Sequence, residues 1–341
     1  MRRILVFLAL YVVVAAVGGL GLAKLGAEGI LRFVSEMLLY FAMGQMWNLV
    51  AGYAGLICVG QQMFVGIGAY SLFYASNNLN ISPYWLIAVA PVVCAAFAAL
   101  TASFMFRLRV IFFAIGTWVL SEVVRTLVSR TGQLGSASGI QLVNATLINF
   151  DWFEPMIFWI SSAIALLTGV GTYLLMKSRV GLGLMSVRDN ELAAASVGVD
   201  VWRNRLIAFV LSGAGCGLAG AVYYMSTLSV VPIQGFDGNW TVIFMFITIV
   251  GGIGTLEGPI LGTIIYFALR ETFTNVLGVS GSWYLFAVGA VAIVGMLYAP
   301  TGLWPMIRQR LGITGLSISH RPPVTSRSVT SEKAATLSFD E

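Results

Sequence analysis

The sequence predicts an all-α fold: a polytopic bundle of transmembrane helices with about ten membrane segments, some broken by glycine. Three observations predict it. Of 341 residues, 58% are hydrophobic and only 10% charged, against about 25% charged in soluble domains. Mean hydropathy is +0.90 over the whole length, so the apolar surface exceeds what one buried core can absorb. And the apolar residues fall into runs of membrane-spanning length, roughly 17–25 residues each.

The runs lie at 4–23, 30–51, 55–76, 84–106, 110–130, 156–177, 206–226, 258–277 and 283–300, with a shorter one at 239–254. Sixteen residues reach only about 24 Å at ~1.5 Å per residue, so 239–254, like the glycine-rich 55–76, is open between a full crossing and a re-entrant segment. Met1-Arg2-Arg3 ahead of Ile4 has the look of a signal peptide, but no clear small-x-small site follows; the run reads as an uncleaved first helix.

Lysine and arginine orient the chain. With the N-terminus inside and strict alternation, 14 of the 19 basic residues fall on the cytoplasmic side; only Lys24, Arg32, Arg125, Arg130 and Arg270 do not. Both termini and 178–205 are then cytoplasmic and 131–155 is external. The net charge of +5 is spread between apolar segments, which excludes a nucleic-acid surface. Residues 1–310 form the membrane domain and 311–341, rich in Ser, Thr and Pro towards the end, a disordered cytoplasmic tail.

Little in the chain can do catalytic chemistry. Cys58, Cys94 and Cys216 are far apart in apolar runs, and the single histidine, His320, sits in the tail. No catalytic residue, metal-ligand spacing or cofactor site is expected. There is no G-x-x-x-x-G-K-[ST] phosphate loop, so any ATP must be used by a partner. Ion-coupled carriers place ionisable groups deep in the bundle; runs 84–106, 206–226 and 283–300 have none.

Three stretches carry the functional expectation. The internal loop 178–205 is far longer than a connector needs. Its centre, VRDNELAAASVGV, reads as a short helix capped by Asp189 and ended by Gly198, with small side chains (Ala193, Ala194, Ala195) that admit a partner. The stretch NLVAGYAGLICVGQQMFVGIGAY, 48–70, gathers Gly52, Gly55, Gly60, Gly66 and Gly68 with the amides of Asn48, Gln61 and Gln62. Each glycine costs a helix about 1 kcal/mol relative to Ala; in a membrane such a cluster serves tight packing or a break beside a cavity. The third, GGIGTLEGPILG, cannot be a regular helix through Gly251, Gly252, Gly254, Gly258 and Pro259. Glu257 belongs at a hairpin or in a wet cavity, since at the centre of a lipid-facing helix it would cost ~2.5–3.5 kcal/mol. The G-x-x-G starts at Gly52 and Gly251 faintly echo each other. Gly213-x-x-x-Gly217 and Gly258-x-x-x-Gly262 fit close helix contact, and Glu122 with Arg125, and adjacent Arg270 and Glu271, are expected structural ion pairs.

The 48–70 stretch resembles the N-L-x-x-G-Y-x-G-x-x-S-x-G-x-x-x-F-x-G-x-G-A-Y segment of LivM-type branched-chain amino acid ABC transporter permeases. SVRDNELAAASVGVDVWRNRLIAFVLSGAGCGLAGAVY is similar to that family's cytoplasmic loop and following helix, and FITIVGGIGTLEGPILGTIIY to its late glycine-rich segment. The resemblance implies an importer of a small polar solute, fed by a periplasmic binding protein, with a second LivH-type permease and two ATPase subunits. It implies that Arg188, Asp189, Asn190, Glu191, Ala194 and Gly198 meet the ATPase. It implies that Asn48, Gly52, Gly55, Gly60, Gln61, Gln62, Gly251, Gly252, Gly254, Glu257 and Gly258 line the path. The chain departs from the family at Cys58, where Ser is usual, and at Gly60-Gln61-Gln62, where Gly-His-Gly is usual. Closely similar permeases serve urea and short-chain amides.

Overall fold

The computed structural model describes residues 28–143, 152–276, 278, 282–299 and 302–311. The expected first span at 4–23, part of the external loop and the tail beyond 311 lie outside them.

The described chain is helical almost throughout. Helix α1 (Glu28–Asn48) runs on into a π-turn at Leu49–Tyr53. A non-helical stretch, 54–61, leads to α2 (Gln62–Leu79). A short α3 (Pro83–Leu86) feeds α4 (Val89–Met105), and α5 spans Val110–Arg130. Then come α6 (Phe153–Lys177), a hairpin of α7 (Arg179–Asp189) and α8 (Glu191–Ser196), and α9 (Val201–Thr227). A single turn, α10 (Pro232–Gly235), precedes α11 (Asn239–Gly251), followed by α12 (Gly258–Glu271), α13 (Ser282–Tyr298) and α14 (Leu303–Leu311).

Five helical stretches among the described residues are long and apolar enough to cross a membrane: 83–105, 111–130, 153–177, 201–227 and 232–251. Three other expected runs fall short for identifiable reasons. Helix α1 carries Glu28, Arg32 and Glu36 in its first half. The run 55–76 begins outside helix and becomes α2 only at Gln62. Helix α12 has 14 residues before it loosens into a π-turn at Thr272–Val276.

Contacts sort the helix ends onto two faces. On the hairpin face, Leu49, Tyr53 and Ala54 from the end of α1 pack with Met176 of α6, Leu184 of α7 and Ala208 of α9. On the strand face, Ile140–Gln141 (β1) pairs antiparallel with Ser229–Val230 (β2) in the register Ile140 to Val230. Asn77 near the end of α2 donates to the Gln141 carbonyl (2.9 Å) and accepts from the Val143 amide (3.1 Å). This two-residue bridge ties the loop after α5 to the end of α9. It is too short to leave a periodic signal.

Helix α9 is the central element, packed against α1, α2, α4 and α6. Its glycines permit this. A Cβ on Gly220 would sit 2.7 Å from the Val65 Cα, and one on Gly213 2.9 Å from the Phe64 ring. Backbone approach of this kind suits a membrane bundle, where van der Waals packing rather than the hydrophobic effect holds helices together. Helix α5 lies at the periphery; Ile111, Phe112, Ile115, Val119, Val123 and Leu127 all point away from the bundle.

Glu122 and Arg125 pair at 2.5 Å as expected. Arg270 forms a salt bridge with Glu36 of α1, through two bonds of 2.6 and 3.1 Å. Helix α1 presents Glu36 to the end of α12 in bidentate geometry. The pair lies beside a cavity of about 250 Å³ lined also by Arg32, Tyr223 and Thr227. Glu36→Ala should therefore destabilise the purified protein by roughly 1.5–3 kcal/mol, read as a lower thermal midpoint. Adding Arg270→Met should recover part of the loss, because the residual cost is an unpaired charge. A midpoint unchanged by Glu36→Ala would mean that the pair holds nothing.

Candidate functional site

Two breaks in the helices converge on the hairpin face. The first, 54–61, follows the π-turn of α1. The second, 252–257, joins α11 to α12. Asn48 connects them. Its Nδ2 donates to the Thr255 carbonyl at 2.7 Å, and its Oδ1 accepts from the Gly254 amide at 2.8 Å. One amide thus satisfies two backbone groups of a turn that has no helix to do so.

Glycine is required here by space and by conformation. A Cβ on Gly52 would strike Asn48 Oδ1 and lie 2.6 Å from the Gly254 nitrogen. Gly252 and Gly254 have φ of +135° and +72°, values that side chains disfavour. A Cβ on Gly251 would meet the Gly258 carbonyl, which is how closely α11 and α12 pass. Gly60 lays the first break against the Thr117–Trp118 backbone of α5, and Val59 donates to Thr117 Oγ1 at 3.3 Å. Glu257 is partly exposed at the start of α12. There a carboxylate faces the positive end of the helix dipole, a favourable place for it.

The three amides named from sequence are all wholly buried within the chain. Gln61 donates through Nε2 to Ser212 Oγ at 2.5 Å, and Ser212 donates to the Met46 carbonyl at 2.6 Å. Gln62 accepts through Oε1 a short hydrogen bond from Thr241 Oγ1. Its backbone amide also donates to Thr241 Oγ1, at 3.2 Å. Gln61 Oε1 and Gln62 Nε2 have no protein partner among the described residues. Each glutamine therefore holds one helix neighbour, α9 or α11, and keeps one polar group in reserve. Ser212 and Thr241 were missed from sequence. The signal was there, as isolated hydroxyls inside strongly apolar runs, but nothing local pairs them with residues 151 and 179 positions away.

The loop 178–205 forms an ordered hairpin. The expected single helix is two. The chain is extended at Asn190 (φ −158°, ψ 106°), and Asn190, not Asp189, caps α8 by accepting from the Ala193 amide at 3.0 Å. Asp189 is otherwise engaged, holding Nε and Nη2 of Arg188 at 3.0 and 2.9 Å. Gly198 ends the element with φ +86°. Glu191 pairs with Arg205 through two bonds of 3.0 and 2.8 Å, fastening α8 to α9. Ala194 is only 3% exposed and packs inward. The side chains that project are Leu192, 84% exposed, and Val197, 78% exposed. Neither was named from sequence, although two large apolar residues in an internal loop are a signal in themselves.

Arg188 joins the hairpin to the breaks. Its Nη1 donates to the Gly52 carbonyl at 2.9 Å. A Cβ on Gly55 (φ +70°) would lie 3.2 Å from Arg188 Cγ, and one on Gly254 3.1 Å from Nη1. Residues placed from sequence in two separate groups therefore meet around one guanidinium.

Comparison with known proteins fits this architecture. Residues 26–296 match the family model described as branched-chain amino acid transport system / permease component. The chain is 24% identical over 311 residues to the high-affinity branched-chain amino acid transport system permease protein LivM of Escherichia coli K12, covering 84% of this chain and 72% of that protein. It is 29% identical over 235 residues to the ribose import permease protein RbsC of the same organism, covering 64% and 70%. It is 26% identical over 235 residues to the nucleoside ABC transporter permease protein NupC of Lactococcus lactis, covering 62% and 74%. No solved structure matches it. With four-fifths of its length inside the model, the chain belongs to the family of branched-chain amino acid transport system permease components.

Proposed function

We propose that the chain is one of two permease subunits of an ATP-binding-cassette importer in a bacterial inner membrane. It would pass branched-chain or related amino acids delivered by a periplasmic binding protein. Its other partners would be a LivH-type permease and two ATPase subunits docked on the α7–α8 hairpin. The observation that carries this reading is the Arg188 junction. An ordered hairpin with projecting apolar side chains is bonded through Arg188 to Gly52 beside the first break, and Asn48 ties that end of α1 to the second. A carrier that extracts work from a separate ATPase needs such a connection; a passive connector does not.

In this reading the chain crosses about ten times with both termini cytoplasmic, the hairpin face is cytoplasmic and the strand face external. The path runs by the two breaks, Asn48, Gly52, Gly55, Gly60, Gln61 and Gln62 on one side and Gly251, Gly252, Gly254, Glu257 and Gly258 on the other. The amides are closed in the described state, so passage requires α2 to part from α11 or α9. A solute handed on by a tight receptor must also leave easily, and uncharged amides can bond a zwitterion without a fixed opposite charge. Gln62→Leu should accordingly slow uptake by roughly tenfold, the factor that ~1.4 kcal/mol on a barrier gives, with subunit assembly intact. Unaltered uptake would reduce Gln62 to helix packing.

Single cysteines at Ser138 and Ser196, in a chain lacking Cys58, Cys94 and Cys216, test the orientation. An impermeant reagent outside intact cells should label Ser138→Cys and spare Ser196→Cys; the reverse pattern overturns the assignment. Solute identity is tested by ATP hydrolysis of the purified complex with its binding protein. Stimulation by leucine, isoleucine or valine is expected. A second reading, a sugar or nucleoside solute, is favoured by the ribose and nucleoside permeases among the relatives. Stimulation by ribose or uridine alone would establish it, and stimulation by urea alone would establish an amide carrier.

A further inference from the structure

We infer that Arg188 is the positioning residue that carries movement of the hairpin to both helix breaks at once; this rests on the importer reading above. Arg188 is the penultimate residue of α7 and is bonded both to the end of α1 and to its neighbour Asp189. Nη1 holds the Gly52 carbonyl at the end of the α1 π-turn, and Nε and Nη2 hold Asp189 at the α7–α8 joint. A Cβ built on Gly254 in the α11–α12 turn would lie 3.1 Å from the same Nη1.

Two features separate this from an ordinary structural tie. The hairpin is also fixed to the bundle by the Leu49, Tyr53, Met176 and Leu184 cluster and by the Glu191–Arg205 pair, so the Arg188 bonds are not its only hold. Moreover, Asp189 is two-thirds exposed, one residue from the Asn190 joint and three from the projecting Leu192. A partner that shifts α8, or offers Asp189 a cation, alters the Arg188–Asp189 pair directly. The same guanidinium then changes its hold on Gly52. Because Asn48 locks Gly254 and Thr255 to the α1 end, a displacement of Gly52 reaches both breaks together. The fork geometry matters: the guanidinium makes two converging bonds to one Asp189 oxygen and a third elsewhere, whereas an ammonium is a point charge.

The test uses the full chain in complex with the ATPase subunits that copurify with it, in lipid nanodiscs. The reporter is Ile253→Cys, exposed between Gly252 and Gly254, with Cys58, Cys94 and Cys216 replaced by Ala. Its rate of reaction with fluorescein maleimide is measured with and without ATP plus vanadate. In the otherwise native chain the rate should change at least fivefold on trapping. With Arg188→Gln the change should shrink below 1.5-fold, and with Arg188→Lys it should be intermediate. A native-sized change in Arg188→Gln overturns the inference. Where Arg188→Gln fails to accumulate, Asp189→Asn decides: it keeps the Gly52 bond and loses the pair, so its response should fall at least twofold, and an undiminished one overturns the inference. If no ATPase copurifies with the native chain, the importer reading itself fails. If ATPase copurifies and hydrolyses ATP but the native reporter does not respond, only the Arg188 inference fails.

Discussion

Gly52→Val is expected to abolish transport, by at least a hundredfold, in a protein that still inserts and accumulates. The argument is steric. Even the first carbon of a side chain at this position would lie 2.6 Å from the Gly254 nitrogen and 2.9 Å from its Cα. Those are backbone atoms in a turn with positive φ at Gly252 and Gly254, so no flexible end can swing aside. Room can be made only by lifting the α11–α12 turn off Asn48. That breaks the 2.8 and 2.7 Å bonds to Gly254 and Thr255 and carries the Gly52 carbonyl away from Arg188. Each such bond is worth about 1 kcal/mol net, so the loss falls on the geometry of the breaks more than on folding of the long helices elsewhere. Gly171→Ala is the control: nothing lies near its Cβ, and the change in mid-helix should stabilise by about 0.4–1 kcal/mol. Uptake by both variants at equal surface expression is the measurement. Native uptake by Gly52→Val would mean that contact between the two breaks is dispensable.

The second large effect is expected at the hairpin. Leu192→Asp should reduce ATPase recovered with the permease at least tenfold. The hairpin itself should be untouched, because Leu192 is 84% exposed and contributes little to its own fold. An apolar anchor that fills a pocket on a partner commonly costs 2 kcal/mol or more when removed, about a thirtyfold change in affinity, and a charge there adds desolvation. Ala194→Trp should also uncouple the protein, but for a different reason. Ala194 is buried beneath α8, so an indole there would force α8 off α7 and α9. Protease sensitivity of the purified permease separates the two: Ala194→Trp should open the hairpin to cleavage, and Leu192→Asp should not. Full ATPase recovery with Leu192→Asp would place the docking surface elsewhere.

Much of the architecture was legible before any coordinates. The runs at 84–106, 110–130 and 206–226 correspond to helices at Pro83–Met105, Val110–Arg130 and Val201–Thr227, because unbroken apolar sequence in a membrane protein leaves the backbone little choice but helix. The second break was legible for the opposite reason: glycines at 251, 252 and 254 are too dense for a regular helix, whereas those at 52, 55 and 60 fitted tight packing as well as a break. What was not legible is pairing over distance. Arg188 bonds a carbonyl 136 residues away, Asn48 one 207 away, and Arg270 a carboxylate 234 away. Those partners are set by how helices assemble, which local pattern does not encode. The cap at Asn190 was missed by one residue for a local reason: Asp189 is also a good cap, but its neighbour Arg188 claims it.

The most direct test of the account is the energy source. The permease, purified with its ATPase subunits and binding protein, would be reconstituted into proteoliposomes. Uptake of labelled leucine, ribose, uridine and urea would be followed with ATP, with a non-hydrolysable analogue, and with an imposed proton or sodium gradient. Uptake of at least one solute should require hydrolysable ATP supplied on the ATPase side, need the binding protein, and survive collapse of ion gradients. Uptake that proceeds without ATP and stops when the gradient is dissipated would contradict the account.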